Sequence, residues 1–138
     1  METQVTNLFI VDDNKLLVAD LKNHLQIIFE NSLNISTFYD GESCLAELNA
    51  DTHVVILDYF LEGKNGLEIL RSIKKINPKT EVIMLSSNED IVVAIDTFRA
   101  GAKDYIVKNG YNSSREIVKL VYNIVARPIN VIVKGFFR

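Results

Sequence analysis

The chain has 138 residues, 48% of them hydrophobic and 24% charged, with 15 basic against 18 acidic side chains and a net charge of −3. That length suits one compact domain, and the mild acidity gives no broad attraction to nucleic acid or to an anionic membrane. A single cysteine, Cys44, excludes an internal disulfide, a thiol-only zinc site and a two-cysteine redox motif. The start, Met1 to Asn7, is polar and has no apolar signal core. Nowhere do 18 apolar residues run together, so the expectation is a soluble, cytoplasmic protein.

The elements follow in chain order. Leu8 to Val11 is a short apolar run of β-formers that stops at Asp12-Asp13. Leu17, Leu21, Leu25 and Ile28 then recur at the spacing of one helical face. Ile35 to Tyr39 predicts a second strand and Gly41 to Leu48 a brief helix. Val54 to Leu57 is apolar at every position and ends at Asp58. Such runs, lacking in/out alternation, are what a parallel sheet covered on both faces requires. A helix is predicted over about 65–76, a strand over Val82 to Leu85, a helix near Glu89 to Ala100 and a strand over Tyr105 to Val107. The last helix is predicted from about Ser113 to Val125, with Ser113 or Ser114 as its N-cap. Strand then helix, five times, implies right-handed crossovers and an open α/β parallel sheet between helix layers, a doubly wound three-layer sandwich.

The polar residues that end these strands are Asp12, Asp13, Asp58, Ser86 and Lys108. In parallel strands they converge on one sheet edge, where such folds place their functional groups. Three carboxylates together repel one another unless a cation holds them. An oxygen-only set suits Mg²⁺ before Ca²⁺. Lys108 and Ser86 suit a phosphoryl oxygen, so the set holds the parts for moving a phosphoryl group onto an aspartate.

With these motifs the sequence resembles the receiver domain of bacterial two-component response regulators. The resemblance rests on Val11-Asp12-Asp13, on Val55-Ile56-Leu57-Asp58 with Gly66 eight residues on, on Met84-Leu85-Ser86-Ser87, and on Gly101 to Lys108. It covers about Asn7 to Val125 and implies the (βα)5 flavodoxin-like fold, with strand order 2-1-3-4-5. It further implies that Asp58 accepts phosphate from a histidine kinase or histidine phosphotransfer protein. Asp12, Asp13, Asp58 and the backbone carbonyl of Phe60 would hold Mg²⁺, with Mn²⁺ able to substitute. Ser86 resembles the switch hydroxyl, Tyr105 the aromatic switch and Lys108 the phosphoryl-pairing lysine. Output would be protein contact through the fourth helix, fifth strand and fifth helix. The chain would be no enzyme beyond assisting its own phosphorylation and dephosphorylation, with no direct nucleic-acid binding. The sequence departs from the family at Glu62, where proline is usual four residues after the phosphoacceptor. It departs again at Asn109, where a cis proline usually follows the lysine; a non-proline cis bond costs roughly 3 kcal/mol, which favours a trans, rearranged loop. Phe60 and Asn88 stand where the family controls water access, and the bulk of Phe60 implies slow loss of the phosphoryl group.

Duller readings exist for each residue. Asp12 and Asp13 could cap a helix, Asp58 could start a turn, Ser86 could be an N-cap, and Lys108 and Tyr105 could be ordinary surface or core residues. His24 and His53 lack the spacing of a zinc pair and read as structural or exposed. Cys44 reads as a small buried hydrophobe. Ile91, Val92, Ile95 and Phe98 read as mostly core at helical spacing, any less buried ones serving a partner face. The rival functions are an aspartyl-phosphate hydrolase, a flavin-binding electron carrier and a degenerate receiver acting as a constitutive binding surface. The first lacks an acid or base at Phe60. The second would need a phosphate loop where Asp12-Asp13-Asn14 stand, and the third is disfavoured by the intact five-residue site. The domain is expected over 1–126. Residues 127–138, rich in β-formers and large apolar side chains, are expected to pack on the domain, to add as a strand to another copy and make a homodimer, or to begin an output domain.

Overall fold

A computed structural model describes residues 4–62 and 64–126. Five strands, β1 (Thr6–Val11), β2 (Leu33–Phe38), β3 (Val54–Asp58), β4 (Glu81–Ser86) and β5 (Asp104–Val107), alternate with five helices. These are α1 (Lys15–Phe29), α2 (Gly41–Glu47), α3 (Gly66–Ile76), α4 (Ile91–Arg99) and α5 (Gly110–Ala126). The strands form one parallel sheet in the order β2-β1-β3-β4-β5. The doubly wound parallel architecture is the one expected from the strand–helix alternation, and the 2-1-3-4-5 order is the one implied by the family resemblance.

The unbroken apolar strands are explained by a core on each side of the sheet. Leu8 and Ile10 of β1, Ile56 of β3 and Ile83 of β4 pack with Val18, Leu21 and Leu25 of α1 and Ile117 and Val121 of α5. Phe9, Val11, Leu57 and Met84 point the other way, against Cys44 of α2 and Ile69, Leu70 and Ile73 of α3. Alternate side chains thus meet opposite helix layers, and neither strand face can be polar. Cys44 is buried as expected, and burial followed by the nearby Asp40 charge pushes its thiol up to about 12.

Several boundaries and faces differ from expectation. The buried stripe of α1 is Val18, Leu21 and Leu25, while Ile28 is exposed. The α5 helix begins at Gly110, whose positive φ of 49° makes the entry turn, so Ser113 lies inside the first turn and donates to the Gly110 carbonyl instead of capping. Asp90 caps α4 by accepting from the Val92 N–H, which delays the helix to Ile91. Most notably, Ile91, Val92, Ile95 and Phe98 are all exposed, and the buried residue of α4 is Thr97. Helical spacing identified a face but not the direction in which it points. Nothing in the residue pattern signals the small antiparallel ladder pairing Phe60–Leu61 with Lys64–Asn65, which replaces the proline-shaped turn around Glu62. No cis peptide bond occurs among the described residues, so the Lys108–Asn109 bond is trans. Among those residues no helix is long and apolar enough to cross a membrane. The expectations for residues 127–138 lie outside the described residues.

Candidate functional site

Strand register brings the candidate residues to one edge. Val11 pairs with Leu57, and Asp58 pairs with Leu85, so Asp12, Asp58 and Ser86 emerge from three adjacent strands at nearly the same level. The Lys108 N–H donates to the Ser86 carbonyl at 2.7 Å, which carries β5 one residue further and sets the lysine at the same edge.

Asp12, Asp13 and Asp58 each place a carboxylate oxygen within 4.8 Å of the others. Asp12 and Asp58 are buried, whereas Asp13 is exposed. Neither Asp12 nor Asp13 caps α1. Asn14 does, accepting from the Leu17 N–H, while its own N–H donates to Asp12 Oδ1 at 2.9 Å. Asn14 therefore orients Asp12 as well as starting the helix, a role visible in sequence only as an Asn before an apolar periodic run. Lys108 Nζ lies 3.0 Å from Asp12 Oδ2 and 3.2 Å from Asp58 Oδ1. Burial first, and then the Asp12 charge, push Asp58 up to about 6, against the opposing pull of Lys108. Burial draws Lys108 down, but its bonds and charge contacts with Asp12 and Asp58 outweigh this and raise it above its ordinary value.

A hard cation fits this donor set. All three side chains offer oxygen, and Asp12 Oδ2 is buried without an aligned hydrogen bond, with the Lys108 ammonium 3.0 Å away. Two buried carboxylates opposed by one lysine leave a negative excess that a divalent ion would neutralise.

Ser86 is fully buried, and its Oγ accepts from the Asn88 N–H at 3.0 Å. It does not cap α4. The half-buried Tyr105 ring packs with the core on the α3 side, and its hydroxyl donates to the Asn88 carbonyl. One peptide segment at Asn88 thus links the serine to the tyrosine, a coupling that no sequence motif displays. Phe60 lies two residues beyond Asp58, with its N–H 3.4 Å from Asp58 Oδ1. Its ring is half-exposed and meets Tyr59 edge-on at 5.0 Å. Glu62 is exposed and lines, with Asp13, Phe60 and Lys64, a hollow of about 560 Å³ beside the carboxylates.

Gly66 has a steric reason to be glycine. A Cβ there would stand 2.6 Å from the Asp58 carbonyl oxygen and 2.7 Å from Tyr59 Cα, both backbone atoms that cannot swing aside. Close approach of α3 fixes the end of β3 that carries Asp58. The histidines lie apart from the site: His53 Nδ1 accepts the Asn7 N–H at 2.9 Å, and His24 is exposed.

Comparison with known proteins agrees with this fold. The response regulator receiver domain family matches residues 8–122. Transcriptional regulatory protein MalR of Bacillus subtilis is 33% identical over 104 residues, covering 74% of this chain and 43% of MalR. Response regulator ArlR of Staphylococcus aureus is 35% identical over 105 residues, covering 75% of this chain and 46% of ArlR. The chain therefore spans less than half the length of these two relatives. Among solved structures, the BeF3-activated DrrB receiver domain superposes with a TM-score of 0.79 at 31% identity, covering 90% of this chain and all of that one. A CheY-like receiver domain protein from Methanospirillum hungatei shares the fold at 20% identity, with a TM-score of 0.79 over 88% of this chain and 94% of its own.

Proposed function

Because this chain belongs to the response regulator receiver domain family, whose members are phosphorylated on an aspartate, we propose that Asp58 is its phosphoacceptor, with a histidine kinase or histidine phosphotransfer protein as the donor. The observation that carries this reading is the meeting of three carboxylates within 4.8 Å, with Lys108 3.2 Å from Asp58. In this reading an Asp58 carboxylate oxygen attacks the phosphorus of a phosphohistidine. The O–P bond forms as the P–N bond breaks, and the imidazole leaves with the electron pair and takes up a proton. Water later attacks the same phosphorus, releasing phosphate and restoring the Asp58 carboxylate.

The chain's own groups divide the work. Asp12, Asp13, Asp58 and the Phe60 carbonyl would hold Mg²⁺, or Mn²⁺ in its place, and the ion supplies positive charge against the phosphoryl oxygens. Lys108, now shared between Asp12 and Asp58, can turn its ammonium to a phosphoryl oxygen. Ser86 Oγ accepts from Asn88 and keeps its own proton for donation to the phosphoryl group. Movement of Ser86 toward that group pulls on Asn88, and Asn88 holds the Tyr105 hydroxyl. The switch would then reshape the surface of α4, β5 and α5, with output by contact with a downstream protein in the cytoplasm and no direct binding to nucleic acid. As an enzyme the chain would act only on itself. A true hydrolase would want an acid or base at position 60, where Phe60 offers none.

Beryllofluoride with Mg²⁺ tests the assignment by NMR. Amide shifts at Asp58, Ser86, Asn88, Tyr105 and Lys108 are expected in the wild type and none in Asp58→Asn. Equal shifts in both proteins would overturn it.

A further inference from the structure

The α4 helix is built inside out. At 100° per residue, Ile91, Ile95 and Phe98 fall within roughly 60° of one another, with Val92 flanking them. These four side chains are 71, 42, 47 and 59% exposed respectively, while Thr97, on the far side of the helix, is fully buried. A nine-residue helix therefore presents its most apolar stripe outward, an exposed patch of the kind that marks an interaction site. The rim of this stripe is acidic. Glu89, Asp90 and Asp96 on or beside the helix and Asp104 at the start of the neighbouring strand outnumber the cations, which are Arg99, between Ile95 and Val92 on the helix surface, and Lys103, already paired with Glu81.

Residues 127–138 have the complementary character. They include Ile129, Val131, Ile132, Val133, Phe136 and Phe137, together with Arg127, Lys134 and Arg138 and no acidic residue. The topology also restricts where they can go. The α3 helix, which carries the step from β3 to β4, and α4, which carries the step from β4 to β5, lie together on one side of the sheet. The α5 helix lies on the opposite side with α1. Nearly all such crossovers are right-handed, so a strand following α5 would fall on the β4 side of β5, a place already taken. A sixth parallel strand beyond β5 would thus need the rare left-handed crossover.

We propose that residues 127–138 pass round the β5 edge and dock on the outward face of α4 in the same chain, their apolar side chains on Ile91, Val92, Ile95 and Phe98 and their cations against the acidic rim. The reach suffices. Twelve residues extend to about 40 Å, against roughly 20 Å, about two helix diameters, to pass between the helix layers, and about 14 Å along α4. Ala126 and the Arg99 end of α4 lie at the same edge of the sheet, because both helices run antiparallel to the strands. The docked segment would compete with any partner for the α4 face proposed for output. The contact itself does not depend on phosphorylation of Asp58.

Paramagnetic relaxation in the full chain tests this. A nitroxide is attached at Gly135→Cys; Cys44 is buried with its thiol pushed up to about 12 and does not compete for the label. The amide signals of residues 91–99 are expected to be lost, equally at high and low protein concentration. Adding Ile95→Asp, at an exposed position, is expected to restore them. Intact α4 signals, or a loss that survives Ile95→Asp, would overturn the proposal. So would a loss that appears when isotope-labelled chains without nitroxide are mixed with unlabelled nitroxide-bearing chains, since a second copy would then occupy the face. If beryllofluoride fails to shift the Asp58 surroundings while α4 broadening persists, the phosphoacceptor reading falls and this contact stands.

Discussion

Replacing Asp58 with asparagine is expected to stabilise the metal-free protein at neutral pH, although it removes a contact with Lys108. An acid lifted from 3.8 to about 6 in the fold binds more protons folded than unfolded between those values. Stability then falls as pH rises through that window, and the cost is fully present above about 6. The whole gap corresponds to about 3 kcal/mol at 1.36 kcal/mol per pH unit. Water reaching the exposed Asp13 side of the site screens part of it, so about 1–2 kcal/mol is the expected net gain for the variant. The assay is urea unfolding in chelator at pH 4, 5, 6 and 7.5. With a slope near 1–3 kcal/mol per molar urea, the midpoint of Asp58→Asn should exceed the wild type by roughly 1 M at pH 7.5, with the slope unchanged. At pH 4 the two midpoints should converge. Saturating Mg²⁺ should raise the wild type more than the variant, because only the wild type keeps the third carboxylate. Equal midpoints at every pH, or a less stable variant at pH 7.5, would refute the reasoning that repulsion from Asp12 and burial outweigh Lys108.

Other consequences follow from particular contacts. Gly66→Ala forces α3 off the backbone at Asp58 and Tyr59; a loss of about 1–3 kcal/mol is expected by chemical denaturation, with slower phosphorylation, and unchanged stability would contradict the steric account. Lys108→Gln leaves Asp12 and Asp58 unopposed, so the metal-free protein should lose about 1–3 kcal/mol and phosphorylate more slowly at saturating Mg²⁺. Lys74 donates to the carbonyls of Pro78 and Thr80 at 3.0 and 2.7 Å, far from the carboxylates. Lys74→Ala should therefore cost about 1–2 kcal/mol while leaving the phosphorylation rate unchanged. Phe60→Asn should hasten loss of the phosphoryl group in a time course, whereas a wild-type half-life of a few seconds would contradict shielding by the ring.

The fold was legible because the strands announce themselves. Runs such as Val54 to Leu57 are apolar at every position, as burial against helices on both sides of a sheet demands. The convergence of the five candidate residues on one edge was legible for a related reason: a charged or hydroxyl group at the end of a buried strand is placed by the sheet itself. What escaped was set by tertiary contact. The outward turn of Ile91, Val92, Ile95 and Phe98 obeys the same helical spacing as a core face, and only packing around Thr97 decides which way it points. The Phe60–Asn65 ladder depends on pairing between two-residue segments, too short for any periodicity. The Asn88 link between Ser86 and Tyr105 runs through backbone atoms, which carry no residue signature. The start of α5 moved because a glycine at positive φ took the place expected for a serine cap.

The measurement that bears most directly on the central claim is the intact mass of the full chain after incubation with acetyl phosphate and Mg²⁺. One phosphoryl group per chain is expected in the wild type, lost when Mg²⁺ is chelated beforehand and absent in Asp58→Asn. An unmodified wild type, or the same adduct on Asp58→Asn, would contradict the assignment of Asp58 as the acceptor.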